Sequence, residues 1–218
     1  MNINFTNKHA LVCGSTAGIG RATAIILARL GASFTWVLRD WDKLQQTLTT
    51  RSREKCQKRD DLVADFSNPK ALRSTIEKVV ENKTFHILIN NTGGPKGGPI
   101  LSAKTDEFEK AFAMHVICNQ ILVQALVPGM KKANFGRVIN IISTSVKQPI
   151  DNLGVSNTIR GAVASWSKTM ANELGPFGIT VNNVLPGFTA TGRLDDVIDN
   201  RMHRSGKSKD QVLETMHN

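Results

Sequence analysis

The chain contains no tyrosine, so nowhere along its 218 residues is a phenol of pKa about 10 available for proton transfer. Cysteine is scarce too. Cys13, Cys56 and Cys118 form an odd, widely spaced set that matches no metal-ligand spacing, and no metal site is expected; two of the three lie inside apolar runs and read as small buried hydrophobes. No run of twenty apolar residues occurs and no basic-plus-apolar leader follows Met1, so neither a membrane partner nor a secretory leader is expected, and the expected location is cytoplasmic. Acidic residues are in deficit. Against 18 Asp and Glu stand 28 Lys and Arg, and the net charge of +10 favours anionic ligands such as nucleotides. Much of the excess is local, in Arg51, Arg53, Lys55, Lys58 and Arg59 and again in Arg201, Arg204, Lys207 and Lys209. A solvated helix end and a polar tail account for these clusters, and no nucleic-acid partner is expected.

What is present suits one well-buried core, and residues 1–218 read as a single domain. Apolar runs of strand length recur at His9 to Cys13, Ser33 to Leu38, Asp61 to Ala64, Phe85 to Ile89, Arg137 to Ile142 and Ile179 to Leu185. Helical patterns lie between them. Ala22, Ile25, Ile26 and Leu30 share one face, as do Ile159, Val163, Trp166, Met170 and Leu174, and Ser67-Asn68-Pro69 opens a further helix with a capping side chain and a proline in its first turn. Strands that alternate with helices and read as continuous apolar runs predict an α/β fold: a doubly wound parallel Rossmann sheet of six strands, covered on both faces. In such a sheet the ligand crevice lies outside the carboxyl ends of the strands, so the residues that follow each strand are the candidates for function.

The first strand runs into Gly14-Ser15-Thr16-Ala17-Gly18-Ile19-Gly20 and then a helix, which puts glycines where a backbone must bend tightly and approach a pyrophosphate at a helix N-terminus. This G-x-x-x-G-I-G spacing resembles that of the short-chain dehydrogenase/reductase family, and later motifs repeat the resemblance. Asn90-Asn91-Thr92-Gly93 resembles the family's N-N-A-G, Asn140-Ile141-Ile142-Ser143 its N-I-S-S, and Pro186-Gly187 followed by Thr191 its P-G-x-x-x-T. In order and spacing the likeness runs from about Lys8 to Leu194, and among family members it is nearest in kind to 3-oxoacyl carrier-protein reductases.

The resemblance implies a dinucleotide held by Gly14, Ser15, Thr16, Gly18, Ile19 and Gly20, with Asp65 and Phe66 at the adenine, Asn91, Thr92 and Gly93 along its middle, and Pro186, Gly187, Thr189 and Thr191 beyond. The second strand ends in Arg39-Asp40. An arginine there suits a 2′-phosphate, so the expected cofactor is NADP, with NAD possible through the acidic neighbour. The expected substrate is a small-molecule carbonyl or acyl thioester. The resemblance also implies a homodimer through the helices flanking the fifth strand, and a lid over residues 189–218. The seventh strand typical of the family is not found before Asn218.

The chemical end departs from the family. Ser143 matches its serine; the tyrosine position, thirteen residues on, is Ser156, and the lysine position, four beyond, is Arg160. His115 stands where the family has asparagine. Arg160 can hydrogen-bond ribose hydroxyls and stabilise negative charge, but it cannot give up its proton at neutral pH. A histidine of ordinary pKa, about 6.5, could take over proton donation if it faces the site, or it could be a buried histidine bonded to backbone. Two functions stay open: an NADP(H)-dependent oxidoreductase interconverting a carbonyl and an alcohol, and a dinucleotide-binding pseudoenzyme.

Overall fold

The structure is a computed structural model that describes residues 3–38 and 59–217. Six strands form one parallel sheet: β1 (His9–Cys13), β2 (Ser33–Leu38), β3 (Arg59–Val63), β4 (Ile87–Asn90), β5 (Gly136–Ile141) and β6 (Ile179–Val184). Their spatial order is β3-β2-β1-β4-β5-β6. The order reverses between β1 and β4, which lie side by side with Ala10 opposite Ile87 and Val12 opposite Ile89, and the crevice of a doubly wound sheet opens at that point.

Helices return the chain across both faces. Helix α1 (Gly18–Arg29) follows β1, and α2 (Pro69–Asn82) follows β3; Asn68 caps α2 by accepting from the Ala71 N–H at 3.1 Å, as Ser67-Asn68-Pro69 predicts. Before β5 comes one continuous helical run made of α3 (Thr105–Phe112), a π-helical turn over Ala113–Ile117, and α4 (Cys118–Lys132). By length and a mean hydropathy of 1.5 this run could cross a membrane, yet it is a core helix: Ile121, Leu122, Leu126 and Met130 are buried against the sheet. Helix α5 (Gly154–Leu174) leads to β6. The stretch expected to form a lid is helical as well, as α6 (Gly192–Ser205) and α7 (Lys209–His217), with Ile198 and Val212 buried beneath them.

Alternate residues of β1 serve two cores. Leu11 and Cys13 join Leu72, Ile76, Leu88, Leu122 and Val138 on the face covered by α2, α4 and α5. Ala10 and Val12 join Ala24, Leu27, Phe34, Trp36 and Ile89 on the face covered by α1. Cys13 and Cys118 are free and buried, as their apolar neighbours predict, while Cys56 lies outside the described residues. Coverage of both faces holds for β1, β2 and β4 but not for the far side of the sheet. Along β6, Ile179 and Val181 are buried while Thr180, Asn182 and Val184 are exposed, because among the described residues only the α4–α5 side packs on that strand.

Truncating Leu122 to Ala in this core should cost about 2–5 kcal/mol, while Leu101→Ala, at a side chain 97% exposed, should stay within about 0.5 kcal/mol of the parent. Urea unfolding of the two variants checks the contrast.

Candidate active site at the carboxyl edge of the sheet

The loop from β1 to α1 is shaped by contacts that leave no room for a side chain. Gly14 has φ +59°, and a Cβ there would lie 2.4 Å from the Asn91 carbonyl oxygen; one on Gly20 would lie 2.2 Å from the Gly14 carbonyl oxygen. Asn91 clasps the loop from β4, its amide nitrogen donating to the carbonyls of Cys13 at 3.3 Å and Gly14 at 3.2 Å. Gly18, with φ +52°, is packed from the other side by the Thr191 methyl. The loop glycines, Asn91 and Thr191 therefore form one unit, although the sequence carries them about seventy residues or more apart.

This unit fits a pyrophosphate. Helix α1 starts at Gly18 with no side-chain cap from Ala17 and no acidic residue in its first turn, so its N-terminal N–H groups and positive dipole end face the crevice. Ser15 is fully buried, and its Oγ has no hydrogen-bond partner among the described residues, which suits a ligand oxygen. Thr16 and Ile19 are half-buried on the same loop. After β3, Asp65 accepts from the Ser67 N–H and hydroxyl at 2.9 and 2.6 Å, and the Phe66 carbonyl accepts from the Cys118 thiol at 3.3 Å. Asp65 is thus oriented by the turn that starts α2. Arg39 and Asp40 lie outside the described residues, as do Arg51, Arg53, Lys55 and Lys58 of the first basic cluster.

The β5 end and α5 carry the chemical positions. Ser143 is half-buried and its Oγ accepts from the Ser145 N–H at 3.1 Å; the next N–H, of Thr144, donates to the Pro186 carbonyl at 3.1 Å and ties this loop to the Pro186-Gly187 segment. Thr189 and Thr191 continue from that segment to α6. Ser156 is half-buried in the first turn of α5. Arg160, one turn on, is buried and donates from Nη1 to the Ile141 carbonyl at 3.0 Å, two residues before Ser143.

His115 sits in the π turn, a helical irregularity that often marks a functional position. Only 2% exposed, it pairs Nδ1 with the Thr92 hydroxyl at 2.7 Å, while Nε2 has no partner among the described residues. Burial pushes the imidazole down to about 3, the Arg160 guanidinium adds to the shift, and the Gly93 backbone opposes it. An ordinary imidazolium ready to give up a proton is therefore not what this position supplies. At neutral pH the ring is uncharged and can only pass a proton between Thr92 and a second partner.

A buried amide ladder, not foreseen from the sequence, holds these parts in register. Asn90 donates to Asn140 at 2.8 Å; Asn140 donates to Ser167 at 2.9 Å and Asn183 at 3.1 Å; Ser167 donates to the Val163 carbonyl at 2.7 Å. The ladder joins β4, β5 and β6 to α5, the helix that carries Ser156 and Arg160. Its signal was three asparagines at the ends of otherwise apolar strands.

Residues 8–201 match the family model described as short chain dehydrogenase. The chain is 30% identical to cyclohexanol dehydrogenase of Rhodococcus sp. (strain TK6), over 90% of this chain and 80% of that protein. It is 31% identical to a 3-oxoacyl-(acyl-carrier-protein) reductase of Pseudomonas aeruginosa, over 87% and 76%. The solved L-sorbose reductase of Gluconobacter frateurii, complexed with NADPH and L-sorbose, superposes with a TM-score of 0.87 at 25% identity, over 99% of this chain and 82% of that one. The chain belongs to the short-chain dehydrogenase/reductase family.

One buried histidine and two half-buried ones make the fold acid-sensitive. His115 is depressed to about 3, His9 to about 4 and His86 less far, all mainly by burial. A folded pKa below the unfolded value means that the unfolded chain binds more protons, so stability is complete above pH about 6.5 and falls as pH drops from there towards the folded values. His115 steepens the slope by up to about 1.4 kcal/mol per pH unit, and the half-buried His9 and His86, screened by solvent, by less. Urea unfolding at pH 7 and pH 5 should show the loss, and His115→Asn should make it shallower by about one proton.

Proposed function

We propose that the chain is an NADP(H)-dependent oxidoreductase interconverting a carbonyl and an alcohol. The observation that carries this reading is the uncapped N-terminus of α1 behind a glycine loop clasped by Asn91, with the orphaned Ser15 hydroxyl inside it. Ser15, Thr16 and Ile19 with the loop glycines hold the pyrophosphate; Asp65 and Phe66 border the adenine; Asn91, Thr92, Gly93, Pro186, Gly187, Thr189 and Thr191 line the remainder. NADP(H), when bound, supplies or accepts the hydride. Arg39 recognises the 2′-phosphate. The NADPH complex of the L-sorbose reductase, a protein of the same fold, supports this choice of cofactor.

The chain's own groups then act on the substrate oxygen. Ser143 and Ser156 hydrogen-bond it, and the buried Arg160 guanidinium stabilises the negative charge that develops there as the carbonyl is reduced. Arg160 keeps its proton throughout. With His115 neutral, the proton that completes the alcohol comes from water and is passed through the serine hydroxyls and the Thr92–His115 pair. Such a route lacks a tuned acid, and turnover should be slow. Within this class we read the substrate as a 3-oxoacyl thioester or a similar small carbonyl, supported by the likeness to the Pseudomonas aeruginosa reductase. Helices α4 and α5, joined by the Trp166 to Gln120 hydrogen bond of 2.7 Å, are the surfaces we assign to a homodimer. The reduced, buried Cys13 and Cys118 suit a cytoplasmic protein.

A second reading is favoured by Arg160 itself, whose Nη1 is engaged by the Ile141 carbonyl: the chain binds the dinucleotide and catalyses nothing. Fluorescence titration with NADPH should give a saturable complex that Gly20→Ala weakens at least tenfold, because the new methyl must displace the Gly14 carbonyl. NADPH oxidation with β-keto thioesters and small ketones then separates the two readings, and binding without turnover across the panel selects the second. If turnover is found, Ser156→Tyr with Arg160→Lys should raise kcat by tenfold or more, since together they restore a phenol and its cationic neighbour.

A further inference from the structure

Arg204, Lys207 and Lys209 of the second basic cluster are exposed, as a solvated helix end predicts, yet part of the cluster also borders a cavity. Arg201, Arg204 and Lys207 line a cavity of about 460 Å³, together with Asn200, Gly97 and the 151–153 turn. We propose that this cavity is an anion subsite that takes a phosphate or carboxylate group on the molecule accepted by the neighbouring reaction site. That it belongs to a carbonyl substrate rests on the function proposed above; that it binds an anion does not.

Three cations converge on this space against one lining carboxylate, that of Asp151, and among the described residues none of the three has a carboxylate within ion-pair distance. Like charges gathered around a concave wall repel one another, and an anion placed between them removes that cost. The wall is also built to hold them. Gly98 donates to the Asn152 carbonyl at 2.7 Å and accepts from the Gly154 N–H at 3.1 Å, which fixes the floor. The Arg204 guanidinium lies close over Gly98, where a Cβ would sit 3.1 Å from its Nη2. Arg201 stands over the Phe188 ring at 5.6 Å and reaches the Asp151 carbonyl at 3.5 Å. Gly206, at φ +66°, ends α6 in a left-handed turn, and Lys207 immediately after it lines the same cavity.

Three segments at or beside the cavity are joined along the chain to the reaction site. Gly97 follows Gly93 on the loop after β4, the 151–153 turn leads into the first turn of α5 with Ser156, and Phe188 follows Pro186 and Gly187. In this proposal a molecule with its reactive carbon at Ser143 and Ser156 extends from there towards the three cations. The competing account is that Arg204 and Lys207 only complement the carbonyl end of α6, as cations at helix C-termini do.

The test uses the full chain saturated with NADPH and follows the amide resonances of Gly97, Gly98 and Gly206 while inorganic phosphate, or separately acetate, is added at constant ionic strength against chloride. The expected result is a saturable shift at these glycines with one or both anions, and a dissociation constant raised at least tenfold by Arg204→Gln with Lys207→Gln. Saturation by phosphate alone assigns a phosphate group, and by acetate as well a carboxylate. Shifts no different from chloride, or equal affinity in the double variant, overturn the proposal and leave the helix-end account. Failure of NADPH to bind, with the phosphate shift present and lost in the double variant, removes the dinucleotide reading while the anion subsite stands.

Discussion

The hydrogen bonds from Asn91 to the carbonyls of Cys13 and Gly14 are the contact on which the remaining architecture depends. They join the ends of β1 and β4, the two strands between which the sheet reverses direction, and so define the crevice. Because the amide occupies the space above Gly14 and Gly20, neither position can carry a side chain, and α1 is drawn close enough for its first N–H groups to face a ligand. Asn91 in turn belongs to the segment that places Thr92 against His115. Two adjacent residues, Asn91 and Thr92, thus link the glycine loop to His115.

The chemical end is organised around charge and burial instead of a titrating donor. Arg160 is a fixed cation in a low-dielectric setting, bonded to the Ile141 carbonyl, and its proximity helps keep His115 neutral. The two replacements are consequently coupled. A cation that never titrates favours a histidine that holds no charge, so neither can be assigned a role without the other. The amide ladder from Asn90 to Ser167 fixes α5 to the strand ends and determines how closely Arg160 can approach them.

Order and type of elements were legible in the sequence because a parallel sheet writes its strands as apolar runs and its helices as period-3.6 faces. Strand limits moved by one or two residues: β3 begins at Arg59 and not Asp61, and β4 at Ile87 and not Phe85. Two features were hidden for different reasons. Burial of His115 depends on how the π turn rotates it beneath Thr92, which no spacing encodes. The cavity that Arg201, Arg204 and Lys207 border is completed by Gly97 and the 151–153 turn from far along the chain, so the sequence showed only the exposed helix end those cations also form. Continuous apolar character likewise overstated the cover on β6, whose Val184 is 48% exposed.

The π turn between α3 and α4 also divides one helix into two registers. Phe108 and Ala111 pack with Val155 and Ile159 of α5, whereas Leu122 and Leu126 pack into the sheet core. The wider turn inserts one residue into the α-helical count, and removing it would rotate α3 by about 100° relative to α4. Deletion of a single residue within Ala113–Ile117 would keep the run helical while turning Phe108 away from α5. In this part of the chain, length is under tighter constraint than composition, and a frame of five residues acts as the spacer that lets one helix serve two partners.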